Sequence, residues 1–565
     1  MSDSKNTQGV PVSLGWRLWL AALGASLVAL AIYSLTLAGY LFPDSSTSLA
    51  TQWMGMDALK VPLHPIWGGF VKAFGGASFS ASMGLRLNIL SMLCGVLSAG
   101  LVCGLVGYFV HQSTHNEDTV KLASGASLLA GLGASFVFVF STAIWQSSTH
   151  LDHSMFDVFF ALAVLAIFIP AIHWPKAMPY CTAVIAIGCG IGLAESVIFL
   201  PILPLIMLLV VVASVKTDRK FYLPMAIFLV FFSVCYVVTM NKVANGFLLQ
   251  PDAKTAGVTS AGDVWKGVWT AYAHEMRQWV TRPGWLYIFV LAVAPFVVCS
   301  FASVRGLNNE RTWSQYTFHA AMTICMILAT ATKLSPEGVM RPFGISPVAT
   351  SVLVAVTCGY LLAYWYLLAR APLPPVEFDK LDAALTVGRR MAPFVAGAFV
   401  LLLVLSAIVN AASFSRDRGA FADVCANAII DRLGERKWIV TDGMIDDQLR
   451  AAAASRGREL NLICLHRDMD DAYLKELGET VREKGLSAGS ADLSISIQLG
   501  VLSFLQDWFA GDTNVESQVA IFGVPDLWYM SERVPVPECL FFGGVKDVKK
   551  VDGAKAKAEF LSFWK

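Results

Sequence analysis

The chain has 565 residues, 56% of them hydrophobic and 15% charged, with a mean hydropathy of +0.60. A soluble globular domain carries about 25% charged residues, so this composition excludes that class and points to a chain solvated largely by lipid. The formal net charge of +1 supplies no electrostatic reason to expect nucleic acid as a partner.

Mostly apolar runs of about 18–25 residues recur from Trp16 to Phe414, each long enough to cross a hydrocarbon layer about 30 Å thick. We read about eleven, at roughly 16–40, 85–110, 123–144, 155–172, 180–195, 197–215, 221–240, 285–304, 315–332, 347–369 and 391–414. The first run is longer than the apolar core of a signal peptide, about 7–15 residues, and is read as an uncleaved span. With the N-terminus inside, alternation places Lys216, Arg219, Lys220, Arg305, Arg311 and Arg370 on the cytoplasmic side. The outer loop 145–154 and the turn at Glu195 carry no Lys or Arg, as the positive-inside rule expects. The outer loop 241–284 does carry Lys and Arg, but long loops are weak topology signals.

These runs define a polytopic α-helical membrane domain over residues 1–414. Residues 415–565 differ: charge is frequent and membrane-length apolar runs are missing. There Ile439–Thr441, Leu462–Leu465, Val519–Phe522 and Leu540–Phe542 read as buried strands, with a helix predicted over Asp446–Ser455. The pattern predicts a soluble α/β domain of about 150 residues, left outside by an odd number of spans. The expected location is a bacterial inner (plasma) membrane, with the C-terminal domain extracytoplasmic. Gly443 follows the first strand without a G-x-G-x-x-G pattern, so a nucleotide site is not supported. Of eleven cysteines, Cys464 and Cys539 are the pair we consider for a bridge in the tail.

Ionisable residues within or beside spans are costly and therefore informative. Asp44, Asp57, His64, His150, Asp152, His153 and Glu195 map to the outer ends of the first six runs, which predicts a hydrated outward pocket. Asp44 follows Pro43 and precedes a Ser/Thr run, a pattern that suits a helix N-cap as well as a general base. His150 and His153 stand at i and i+3, where a metal site with Asp152 is conceivable but weakly specified. Asp152 reads better as a second pocket carboxylate, and Glu195 as either a cap for the following helix or a pocket residue. Arg341 reads as a headgroup contact or as a bidentate clamp on a lipid-linked phosphate. Trp265, Trp269 and Tyr272 share one face of an interfacial helix that either covers the pocket or packs on the spans.

Four ordered segments carry a family resemblance over about the first 200 residues. They are Pro43-Asp44, His64-Pro65-Ile-Trp-Gly68, Arg86-Leu-Asn88-Ile-Leu-Ser91, and Ser141-Thr-Ala-Ile-Trp145 with Asp152 seven residues on. The chain resembles a bacterial multispan family of unknown function related to the protein O-mannosyltransferase-like members of the C-type glycosyltransferases. It departs from that family at Asp152, usually Glu there, and in its shortened His-Pro segment. The resemblance implies a C-type glycosyltransferase fold and inverting transfer of a sugar from a polyprenyl-phosphate carrier to an acceptor hydroxyl, on a glycan or a protein. It implies Asp44 as catalytic base; His64, Asp152, Glu195 and Arg341 are our candidates for substrate contacts beside membrane lipid. A cation such as Arg341 suffices for the departing phosphate, and a divalent metal stays an open alternative. A lipid-linked saccharide flippase and a non-catalytic envelope assembly protein are the competing readings. The clustering of acidic groups on one side, without clear internal repeats, favours the transferase.

Overall fold

The computed structural model describes residues 12–77, 82–114, 120–216, 220–250, 253, 257–280, 310–331, 333–340, 346–370, 379–413, 420–486, 493–547, 549 and 551–564. The helices of the first part are α1 (Val12–Thr36), α2 (Ser45–Trp53), α3 (Pro65–Gly75), α4 (Met83–Thr114), α5 (Val120–Phe140), α6 (Thr142–Thr149), α7 (His153–Ala166) and α8 (Phe168–His173). Then follow α9 (Met178–Glu195), α10 (Phe199–Lys216), α11 (Tyr222–Leu248), α12 (Ala261–Val280), α13 (Glu310–Ala331), α14 (Pro336–Met340), α15 (Val348–Arg370) and α16 (Asp379–Ser413).

Among the described residues, eight helical stretches are long and apolar enough to cross a membrane: α1, α4, α5, α7 with α8, α9, α11, α15 and α16. Three of the eleven predicted runs are not among these eight. The runs at 197–215 and 315–332 fall on the apolar helices α10 and α13. The run at 285–304 lies outside the described residues. The bundle centres on α4, which packs on α1, α5 and α7, while α15 packs along α5 and α9 along α11. Lipid tails are as apolar as the helices, so close backbone approach and dispersion supply the cohesion here. Gly359 of α15 shows this: a Cβ there would lie 2.5 Å from the Ala130 carbonyl of α5.

The tail adds α17 (Ala420–Arg432), β1 (Trp438–Thr441), α18 (Asp446–Ser455), β2 (Asn461–Cys464), α19 (Asp471–Glu483), α20 (Leu493–Gln498), α21 (Val501–Gly511), α22 (Val515–Gln518), β3 (Val519–Ile521), β4 (Val534–Glu538), β5 (Phe541–Val545) and α23 (Gly553–Trp564). The sheet has order β2-β1-β3-β5-β4, parallel across β2-β1-β3 and antiparallel across β3-β5-β4. Side chains alternate along β1. Trp438 and Val440 join the core under α19–α21, and Ile439 joins the one under α17 and α18. No disulfide joins Cys464 to Cys539. Cys464 ends β2 at one edge, whereas Cys539 lies between β4 and β5, about three strand spacings of roughly 4.8 Å away. That exceeds the Cα separation of about 7 Å a bridge tolerates.

Candidate active site

The chain between α1 and α2 is held by polar side chains of neighbouring spans. Asn88 of α4 donates from Nδ2 to the carbonyls of Ala38 and Tyr40, both at 2.9 Å. Trp145 of α6 donates from Nε1 to Thr36 Oγ1 at 2.8 Å. Ser91 of α4 accepts from the backbone N–H of Asp152 at 2.8 Å. A polar group buried in a membrane bundle is costly unless satisfied, so these bonds fix the register of the segments that bear Asp44 and Asp152.

Both of those carboxylates are helix caps. Asp44 Oδ1 accepts from Thr47 N at 2.9 Å, starting α2, and Asp152 Oδ1 accepts from Ser154 N at 2.8 Å, starting α7. A carboxylate has a second oxygen, so capping and pocket chemistry are compatible. Asp44 and Asp152 also line one cavity of about 510 Å³ with Ser46, His64, His153 and Asp157. Burial in that concavity raises the Asp44 carboxyl from 3.8 to about 7, and the charge of Asp152 adds to the rise. Water still reaches its exposed side chain, which limits the shift while leaving its direction upward.

His64 enters the cavity from the N-terminus of α3. Its backbone is left-handed, at φ 52° and ψ 56°, a conformation uncommon outside glycine. Two contacts hold it. Glu195, fully buried at the end of α9, accepts from Ile66 N at 2.7 Å and from Trp67 N at 3.0 Å, satisfying the first amides of α3. Gly68 packs against the Trp53 ring, where a Cβ would come within 2.2 Å, and Trp53 Nε1 donates to Leu63 O at 2.9 Å. The His-Pro-x-aromatic-Gly order thus closes a tight corner. Burial pushes the His64 imidazole down to about 4, outweighing the opposite pull of Asp152, so the ring is neutral near pH 7.

The sequence-derived residues divide in space. Asp44, His64 and Asp152 meet at the cavity, whereas Glu195 is not in its lining and has both oxygens on the first amides of α3. Arg341 lies outside the described residues, although Glu337 and Ser346, on either side of it in the chain, both line the cavity. The metal grouping of His150 with His153 and Asp152 is corrected. His150 turns to Gln146 O at 3.2 Å and to the Phe42 ring, and the ligand-type side chains that converge are His64, His153 and Asp157. The amphipathic helix α12 packs on the spans through Tyr272, whose hydroxyl donates to Leu193 O at 3.1 Å. Its Glu275 and Gln278 form a cavity wall, and burial, with the charge of Asp157, raises Glu275 to about 7. Sequence reading missed Asp157 and Glu275. Asp157 carried a signal, a carboxylate inside an apolar run four residues after His153.

The tail reaches the same loop. Thr51 Oγ1 donates to Asp447 Oδ1 at 2.8 Å, Arg450 pairs with Asp57 at 3.1 Å, and Lys60 pairs with Asp470 at 3.0 Å. The α/β unit therefore stands on the face of the bundle that carries α2 and α3.

Fold and site together define a multispan membrane protein with a polar cavity among its helices and an α/β unit that contacts the segment following Asp44. Residues 61–219 match the family model of the protein O-mannosyl-transferase TMEM260 N-terminal domain. The matched stretch contains His64, Asp152, His153, Asp157 and Glu195, and a relation to protein O-mannosyltransferase-type glycosyltransferases follows for that part of the chain. A search of curated proteins finds no match.

Proposed function

We propose that the chain is an inverting membrane glycosyltransferase that moves a sugar from a polyprenyl-phosphate carrier to an extracytoplasmic acceptor hydroxyl. Asp44 takes the proton from that hydroxyl, the freed oxygen attacks the anomeric carbon, and the bond to the lipid phosphate breaks with its electron pair on the phosphate. The phosphate leaves as a stable anion, and Arg341 is assigned to grip it. The chain is divided into a catalytic membrane domain, residues 1–414, and an outer domain, residues 415–565, that braces the first loop. Asp152 orients the acceptor and His64 shapes the cavity, while Glu195 is a positioning residue acting through α3.

One observation carries the reading: a carboxylate with a raised pKa sits in a cavity between loop segments that end membrane spans. A base of that kind is matched to a hydroxyl proton near neutral pH. The experiment is transfer from a polyprenyl-phosphate-linked mannose by the full chain in lipid nanodiscs, followed as loss of donor and gain of labelled acceptor. Asp44→Asn, expressed and monodisperse as the parent, abolishes transfer. Retained transfer in that variant removes Asp44 from the chemistry, and translocation of the donor without transfer would favour the flippase.

A further inference from the structure

We propose that His64, His153 and Asp157 form a site for a divalent transition cation of the zinc class, with an open coordination position facing the cavity. The three residues come from two elements. His153 and Asp157 are separated by four positions on α7 and so share one helix face, and His64 meets them from the corner before α3. One ligand atom from each lies within 4.8 Å of the others. All three residues also line the 510 Å³ cavity, which gives a cation a path of entry.

The second observation is what these atoms fail to do with one another. His64 Nδ1 and Asp157 Oδ1 are 3.7 Å apart, beyond hydrogen-bond length. Both atoms are buried without a hydrogen-bond partner among the described residues, in side chains of residues only 8% and 5% exposed. A buried imidazole and carboxylate serving each other alone would close to about 2.8 Å. Donors bound to zinc at about 2.0–2.2 Å in tetrahedral geometry stand roughly 3.4 Å apart, close to the spacing of this pair. The ligand atom of His153 lies within 4.8 Å of both, within reach of a small side-chain adjustment.

The surroundings supply the outer contacts that metal-binding imidazoles use. His153 Nδ1 lies 3.1 Å from Ser46 Oγ and 4.0 Å from Asp152 Oδ1, fixing the ring. The left-handed backbone at His64, held by Glu195 on the next two amides, aims the imidazole at Asp157 at a local conformational cost. Two His and one carboxylate with one open position is a donor set typical of a catalytic zinc site. On the transferase reading the open position takes a phosphate oxygen of the donor; metal binding itself does not depend on that reading.

The test uses the full chain in detergent, stripped with chelator, dialysed, and titrated with Co²⁺ and then Zn²⁺. One equivalent of Co²⁺ is expected, with the visible absorption of a low-coordinate site, displaced by Zn²⁺. Asp157→Asn weakens binding by more than the roughly 10–100-fold of an outer-contact change, Ser46→Ala falls within that range, and His150→Gln leaves it unchanged. Size-exclusion profile and thermal midpoint accompany each variant. If Asp157→Asn does not fold, the parent stoichiometry and Ser46→Ala decide. Parent protein without stoichiometric cation, or folded Asp157→Asn or Ser46→Ala that binds as the parent does, overturns the site. Loss of metal sites by this test leaves the Asp44→Asn transfer experiment intact, so the two readings fail separately.

Discussion

Replacing Glu195 by Ala probes how the cavity is held without touching its lining. Both carboxylate oxygens serve α3, accepting from Ile66 N at 2.7 Å and from Trp67 N at 3.0 Å, and the residue is fully buried. Alanine removes both acceptors where water is scarce, and a buried amide left without a partner costs about 1–3 kcal/mol. Each amide should then open more often by roughly 5- to 150-fold, since about 1.4 kcal/mol is a factor of ten. Glutamine keeps one oxygen, so Glu195→Gln should lose about half of this effect. The assay is hydrogen–deuterium exchange with mass spectrometry on peptides covering 60–75, in the full chain in detergent. Faster exchange confined to that corner, graded Ala above Gln, is the expected result. Unchanged exchange in Glu195→Ala would refute the claim that this carboxylate fixes His64.

Three further outcomes follow from the same contacts. Transfer should rise with pH through about 7, because the Asp44 carboxyl is raised above its ordinary 3.8 and only its ionised form accepts a proton. A rate profile flat between pH 5 and 9 contradicts this; the same shift costs stability as pH rises from 3.8 toward 7, since the folded chain retains a proton that the unfolded chain releases, and unfolding followed over that range checks it. A double-mutant cycle of Arg450→Met and Asp57→Asn should show a coupling of about 0.5–3 kcal/mol in thermal or denaturant unfolding, the pair being 3.1 Å apart at 16% and 10% side-chain exposure. Additive losses would mean that the tail does not grip the loop there. Gly68→Ala places a methyl 2.2 Å from the Trp53 ring and should destabilise by about 1–3 kcal/mol, and Trp53→Leu in the same chain should recover part of it.

Much of the helix layout was legible because lipid demands long apolar runs, and α4, α9 and α15 begin within about two residues of where hydropathy puts them. In the tail, Asp446–Ser455 is the helix that its apolar periodicity predicts, and four of the strands follow from short apolar runs. The strand Val534–Glu538 was not read, because its two prolines argue against a strand interior; it occupies a sheet edge, the place that tolerates them. Asp44, Asp152 and His64 announced themselves as polar residues at span ends. Asp157 stood out only as a carboxylate inside an apolar run, and Glu275 not at all; their place beside the cavity appears only when α7 and α12 are folded against the first loop. Pairing His153 with His150 followed chain distance, whereas the fold pairs it with His64, 89 positions away by subtraction of their numbers.

The bland and the chemical readings of Asp44 and Asp152 meet in one geometry. A cap carboxylate is oriented by a backbone amide, so its second oxygen is held in place without a flexible side chain to order. The positive end of each helix favours the anion, while the concavity around Asp44 opposes it more strongly, and the outcome is a carboxyl raised to about 7. The loop that carries Asp44 is pinned from below by Asn88 and from above by Asp447, Arg450 and Asp470 of the tail. Loosening the upper contacts should therefore disturb transfer by moving Asp44 relative to the cavity wall on α7, lowering the rate while the spans keep their fold. A tail variant that unfolds the membrane bundle instead would assign those contacts to stability alone.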